Sequence, residues 1–143
     1  MSNSIFEEAR AYRKALDAYI DGIKDSPKSI NTHVTILRDW TPGVYTAGDV
    51  RVENGIPYKC AQAHDSTANP TWSPSQVPAL WSQYHGTTPA TARPFIAPTG
   101  AHDMYQADEY MIWTDGNIYR CITPTTYTPE QYAQAWELVS NTQ

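Results

Sequence analysis

Apolar positions near the start of the chain recur at helical spacing. Ile5, Ala9, Tyr12, Leu16, Tyr19 and Ile23 fall alternately four and three residues apart, a heptad seam that predicts one amphipathic helix. Ser4 with Glu7 reads as a capping box, Glu7 and Glu8 lie toward the positive end of the dipole, and Ser26-Pro27 predicts the close. A lone helix of this length is marginal in water, so its stripe needs an apolar partner. That partner is either a second copy of the chain, or the following domain or a larger protein.

Beyond Lys28 the pattern changes. Thr32–Trp40 is rich in β-branched residues and predicts a leading strand, after which Pro and Gly recur every few residues and leave room only for short strands and turns. His85–Pro94 (HGTTPATARP) is small, polar and Pro-containing, the composition of a linker. The expected fold is therefore mostly β: an N-terminal α-helix over 1–28, with a possible short coiled coil, then two small tandem β modules built on hairpins. The first covers 36–85, a linker 86–94, and the second 95–140.

The tandem arrangement rests on an internal repeat. Tyr45-x-x-Gly48-Asp49 answers to Tyr105-x-x-Asp108-Glu109, and Asn54-Gly55-x-x-Tyr58-x-Cys60 to Asp115-Gly116-x-x-Tyr119-x-Cys121. Trp72-Ser73-Pro74 then matches Tyr127-Thr128-Pro129, and Leu80-Trp81 matches Ala135-Trp136. In the first copy a three-residue loop Glu53-Asn54-Gly55 would place Val50, Val52, Ile56, Tyr58 and Cys60 on one face. In the second, a two-residue Asp115-Gly116 turn would group Tyr110, Ile112, Tyr119 and Cys121 and send Trp113 to the opposite face. Cys60 and Cys121 hold equivalent places, which predicts two free thiols, each buried in its own small core.

Composition narrows the function. The formal net charge of −5 comes from scattered acids, with Lys and Arg equally dispersed, so no basic stripe is available and nucleic acid is not an expected partner. The N-terminal residues contain no apolar run suited to a secretory signal or a membrane span. Ten Tyr and five Trp against two Phe favour rings with a polar edge that work half exposed. His33, His64, His85 and His102 show no metal-ligand spacing, and His64-Asp65 and His102-Asp103 are chain neighbours at non-equivalent places in the repeat. Neither an enzyme nor a cofactor is expected.

The ordered set Trp40-x4-Tyr45-x2-Gly48-Asp49, Asn54-Gly55-x2-Tyr58-x-Cys60-x3-His64, Trp72-x-Pro74 and Leu80-Trp81 resembles the chitin-binding type-three module of the carbohydrate-binding superfamily. That module is found in chitinases and, in tandem, in bacteriophage and prophage tail proteins. The second copy resembles the phage version through Pro98-Thr99-Gly100-Ala101-His102-Asp103 and Trp113-Thr114-Asp115-Gly116. It departs from the pattern in having Asp108-Glu109 for the Gly-Asp pair and no His after Cys121. The resemblance implies non-catalytic attachment to chitin-like or host cell-surface polysaccharide. It also implies a place in a virion tail or baseplate beside other tail proteins, with synthesis in the bacterial cytoplasm; an extracellular place without a signal peptide is the other expectation, and no membrane partner is expected from the N-terminal residues. Self-association through the helix would let several weak sites act together.

Sugar faces stack on exposed rings, and neighbouring polar groups orient the hydroxyls. Trp72, in the polar loop NPTWSPSQVP, and its counterpart Tyr127 are the first candidates, with Trp40, Tyr45 and Tyr84 as a possible ledge beside Trp72. Trp113 is the second-copy candidate, and His64 either bonds Asp65 or loop backbone or meets the ligand. Tyr58, Tyr119, Trp81 and Trp136 are expected in the cores. The rival reading is a structural tail or baseplate component whose modules make protein contacts. Ring exposure separates the two.

Overall fold

A computed structural model describes residues 2–139. The chain is mostly β with a helix at its N-terminus. Helix α1 (Ser2–Ile23) is followed by a short α2 (Pro27–Thr32). Ser26 separates them: it precedes a proline, lies in extended conformation, and its side chain accepts from Ser29 N as the cap of α2. Ser4 is inside α1 rather than at its cap, because the helix already runs at Ser2.

The seam of α1 divides along its length. Ile20 is buried, and Leu16 and Ile23 are half-buried toward the rest of the chain, whereas Ile5, Phe6 and Tyr12 are 70%, 63% and 70% exposed. Arg13 pins the helix by donating to the Ile36 carbonyl, and Arg38 holds Asp17 through two hydrogen bonds.

The expected leading strand over 32–40 does not form. Val34–Ile36 is a 3-10 turn, and only the end of the segment joins a ladder, where Asp39 bridges Val52 in parallel. The turn brings Val34, Ile36 and Leu37 against Ile20 and Ile30; here tertiary packing outweighs the strand preference of β-branched residues.

The first unit holds β1 (Val44–Tyr45), β2 (Val50–Glu53), β3 (Ile56–Cys60), β4 (His64–Asp65) and β5 (Trp81–Gln83). Strands β2, β3 and β5 form an antiparallel sheet in that order, and β1 pairs with β4. The β2–β3 turn has two residues, Asn54 at φ 54° and Gly55 at φ 78°, with Glu53 opposite Ile56. This replaces the expected three-residue loop, and it changes which residues share a face. Val50 and Val52, with Pro57, point to one side, while Ile56, Tyr58 and Cys60 point to the other. Val50 and Val52 complete a core with Ile20, Ile30, Leu37 and Tyr84; Tyr58 and Cys60 build a second core with Tyr45 and Trp81. A three-residue loop follows only from a single apolar face, and this hairpin has two.

In the second unit β6 (Arg93–Pro94) lies parallel to β7 (Tyr110–Ile112), and β8 (Ile118–Cys121) and β9 (Trp136–Val139) continue the sheet antiparallel. Its hairpin departs from expectation in the opposite sense. Trp113 and Asn117 close a three-residue loop, Thr114-Asp115-Gly116, with Gly116 at φ 83°. Met111, Trp113, Tyr119 and Cys121 therefore share the core face, and Tyr110 and Ile112 take the other.

The repeat is reproduced bond by bond. Gly48 N donates to Cys60 O and Asp108 N to Cys121 O; Cys60 N donates to Asp49 O and Cys121 N to Glu109 O; Ala61 N donates to Leu80 O and Ile122 N to Ala135 O. Gly48 (φ 97°) and Asp108 (φ 70°) both take left-handed backbone, so the Asp substitution keeps the turn.

Residues 86–94, expected as a linker, are fastened to the second unit. Gly86 bridges Tyr110, Thr88 and Thr91 cap a 3-10 turn at Pro89–Thr91, and β6 joins the sheet. The adjoining His85 is buried, stacks on Tyr105 with ring centroids 3.7 Å apart, and places Nδ1 2.7 Å from Glu109 Oε1. Glu109 also accepts from Gln106 N, the bond that Asp49 makes to Thr46 N in the first copy. The extra methylene of Glu lets one carboxylate serve both its own turn and the junction. Arg93 closes the far side by donating to Tyr84 O and Asn31 Oδ1.

Glu109→Ala leaves the buried His85 nitrogen and the Gln106 amide without their acceptor, and is expected to cost about 2–4 kcal/mol in denaturant unfolding. A Cβ on Gly86 would lie 2.4 Å from the Thr91 carbonyl oxygen. Gly86→Ala is therefore expected to lower stability by about 2 kcal/mol or more, measured in the same way.

Candidate functional site

The loop between β4 and β5 is tightly bonded for a segment without regular structure. Asp65 accepts from Thr67 N in an Asx turn, and the buried Ser66 exchanges hydrogen bonds with Gly43 across the β1–β4 pair. Asn69 N donates to Ser66 O, Trp72 N to Asn69 O, and Gln76 N and Val77 N both to Ser73 O. Pro74 is fully buried, and Ser75 N donates to Glu53 Oε1. Trp72 projects from this frame with 37% of its surface exposed. No aromatic ring packs on it among the described residues. A large ring held open on a rigid loop has little conformational freedom left to lose on binding.

The other first-unit candidates lie elsewhere. Tyr45 is buried, donates from its hydroxyl to Thr41 O, meets Trp81 edge-on, and carries the Arg51 guanidinium 5.1 Å from its ring centroid. Trp40 is half-buried against the same cluster. Tyr84 belongs to the opposite core, donates to the Lys24 carbonyl at the end of α1, and has its phenol pKa pushed up by burial. His64 is half-buried between Tyr45 and Trp81, its Nδ1 2.7 Å from Gln62 O. The structure does not gather Trp40, Tyr45 and Tyr84 into an open ledge beside Trp72.

On the second unit Tyr127 is 55% exposed and meets Tyr132, 40% exposed, edge-on at 6.4 Å. The backbone of Tyr127 accepts from Trp136 Nε1, so the closing Trp holds the loop in place. Trp113 corrects the expectation that it faces away from the core: its ring meets Phe95 edge-on at 5.3 Å, packs on the second core, and remains half exposed. The three-residue loop accounts for the reversal. Tyr119, expected within the core, is likewise only half covered, and its hydroxyl donates to Asp115 Oδ2. Tyr132 is not singled out by the repeat because its counterpart in the first copy is the aliphatic Val77; Val77 N donates to Ser73 O as Tyr132 N does to Thr128 O. Trp81 and Trp136 are buried in their cores.

Residues 39–82 match carbohydrate-binding module family 5/12. The match spans the first unit from the residue before Trp40 to the closing strand, including the whole Trp72 loop. A stretch of 37 residues, 26% of this chain, is 57% identical to chitinase A1 of Niallia circulans. A stretch of 45 residues, 31% of the chain, is 47% identical to streptogrisin-C of Streptomyces griseus. The chain covers only 5% and 9% of the lengths of those two relatives. The matched family is a binding module rather than a catalytic domain.

The polar groups at the entry to the second unit are engaged structurally. Asp103 accepts from Thr99 N, Gly100 N and the Thr99 hydroxyl, and His102 Nε2 lies 3.1 Å from Pro78 O. Among the described residues no three His, Cys, Asp or Glu side chains come together as metal ligands would, and no helix is long and apolar enough to cross a membrane.

Cys60 and Cys121 are free and buried, donating to Gln62 O and Thr123 O respectively. Burial pushes each thiol pKa up to about 11. At pH 8 the reactive thiolate is thus about one part in a thousand. Both cysteines are expected to resist a disulfide reagent in the folded protein and to react fully on unfolding, as counted by released chromophore.

Proposed function

We propose that the chain is a non-catalytic glycan-attachment protein, with chitin or a chitin-like cell-surface polysaccharide as the ligand of its first unit and Trp72 as the ring on which the sugar stacks. The observation that carries this reading is the open indole of Trp72 on a well-bonded loop, inside a segment that matches a carbohydrate-binding module; a stretch of the chain is also similar to part of a protein named chitinase A1. Tyr127, with Tyr132, is the corresponding surface of the second unit. His64 supports β4 beneath the Trp72 loop, and Trp40 and Tyr45 support it from the core.

The reading extends to setting. The tandem units behind a helix, the exposed Ile5, Phe6, Tyr12 and Tyr19 on α1, and the resemblance to tail proteins favour a multivalent component of a phage or prophage tail. In that setting α1 joins copies of the chain or docks on another tail or baseplate protein, and weak sites act together. One observation favours the structural alternative: Tyr45, Tyr84, Tyr105, Trp81 and Trp136 are all core residues. Trp72 is then the one ring of the first unit, among the described residues, that stands clearly open.

Retention on chitin and on bacterial cell walls separates the two. Wild-type protein is expected to be retained on at least one of them, and Trp72→Ala to reduce retention by about tenfold or more while leaving the unfolding midpoint nearly unchanged. Equal retention of the variant would remove Trp72 from the site, and no retention of either protein would leave the structural component. Light scattering is expected to report a multimer that becomes monomeric on combined substitution of Ile5, Phe6 and Tyr12 by Ser.

A further inference from the structure

The core face of the second sheet is longer than its cover. Tyr105, Met111, Cys121, Ala135 and Trp136 are enclosed, but toward the hairpin turn the same face continues through Trp113, Tyr119 and Leu138. Leu138 stands opposite Tyr119 on the neighbouring strand and is 58% exposed. These three side chains, with the edge of Trp136, line an open groove of about 400 Å³, within the range of small-ligand sites. The ring orientations are fixed from behind. Phe95 meets Trp113 edge-on, and the Tyr119 hydroxyl is tied to Asp115.

The charged groups lining the groove are both carboxylates, Asp115 and Glu130, with no Lys, Arg or His among the lining residues. The hydrogen bond from the Asn117 amide, first among several causes, holds Asp115 below the usual carboxylate range. Its charge is therefore retained into the mildly acidic range, where the ammonium group of an amino sugar is also charged. The first unit differs at these places: the position of Tyr119 is held there by the buried Tyr58, and that of Leu138 by Gln83. The groove includes no residue of the Trp72 loop, and on its far side it is walled by Pro129, Glu130 and Ala133, from the loop that carries Tyr127 and Tyr132.

We infer that this groove is a second glycan site, with Trp113 and Tyr119 as the stacking platform and Asp115 and Glu130 selecting a cationic amino sugar, the unit of a deacetylated glucosamine polymer, over neutral N-acetylated or anionic uronate chains. The indole face receives the apolar side of the pyranose, and the carboxylates meet the 2-ammonium group; N-acetylglucosamine has a neutral amide at that position, and a uronate has a neutral 2-hydroxyl and a C6 carboxylate that the two acids repel. The inference rests on reading the chain as a glycan binder but not on Trp72.

The test uses the full chain carrying Trp72→Ala, so that the first-unit platform is removed, titrated with hexamers of glucosamine, N-acetylglucosamine and galacturonate. The readout is the indole N–H resonances, with that of Trp113 assigned from Trp113→Phe. The glucosamine hexamer is expected to move the Trp113 resonance, to bind about tenfold more tightly than the N-acetylated one, and to weaken with added salt. The exposed Glu130→Gln is expected to lower glucosamine affinity several-fold, by about the amount of a partly screened charge pair, without altering the N-acetylated titration. An unmoved Trp113 resonance, or equal binding of all three hexamers, overturns the inference. Chitin retention by the wild type combined with an unmoved Trp113 overturns this site alone, whereas loss of both removes the glycan reading altogether.

Discussion

Val50 and Val52 point to one side of the β2–β3 hairpin, and Tyr58 and Cys60 to the other, so the first sheet carries apolar surface on both faces and cannot stand by itself. A sheet of three short strands buries too little to be stable unless each face is covered. One face is closed by Trp81, Tyr45 and the loop that carries Trp72; the other is closed by Ile20 of α1, Ile30 of α2 and Leu37. The helix is thus part of the core as far as its last turns, and only its N-terminal half projects. The exposed half is available to a partner because the C-terminal half is already committed.

The same economy explains the junction between the units. Tyr84 completes the helix-side core, the next residue, His85, stacks in the second unit and reaches Glu109, and Gly86 enters the second ladder. Three consecutive residues thus serve two cores and the seam between them. Ser82 adds a bond to His102 O, and His102 lies against Pro78 O, tying the second unit to the end of the Trp72 loop. The loop that presents the candidate sugar platform is therefore braced from both units, which gives the second copy a mechanical part in the first copy's site.

The two copies use one hydrogen-bond frame with different surfaces. Trp72 answers to Tyr127, His64 to Thr125 across from Tyr105, and Gln83 to Leu138. The backbone bonds around Gly48/Asp108 and Cys60/Cys121 are indifferent to those exchanges, since they involve main-chain atoms alone. Binding character can therefore diverge between the units while the fold is kept. Of the two units, the second presents the more open aromatic rings, Tyr127 and Tyr132.

Much was legible in the residue pattern. The helix, the mostly β remainder, the doubled unit, the buried closing tryptophans and the free buried thiols follow from local periodicity, turn chemistry and repetition, each of which acts over a few residues. Loop length and facing did not follow. The Asn54-Gly55 and Asp115-Gly116 signals locate the turns, but whether two or three residues close the loop depends on which face each strand must bury. Only the packing of α1 and α2 on Val50 and Val52 decides that for the first hairpin, and only the packing of Phe95 and the second core against Trp113 decides it for the second. The 3-10 turn at Val34–Ile36, the seating of Tyr45 and Tyr84 in separate cores, and the fastening of residues 86–94 to the second sheet rest on contacts between residues far apart in the chain, which no local pattern encodes. The composition of this sequence names the rings that could meet a sugar; tertiary structure alone decides which of them have an open face.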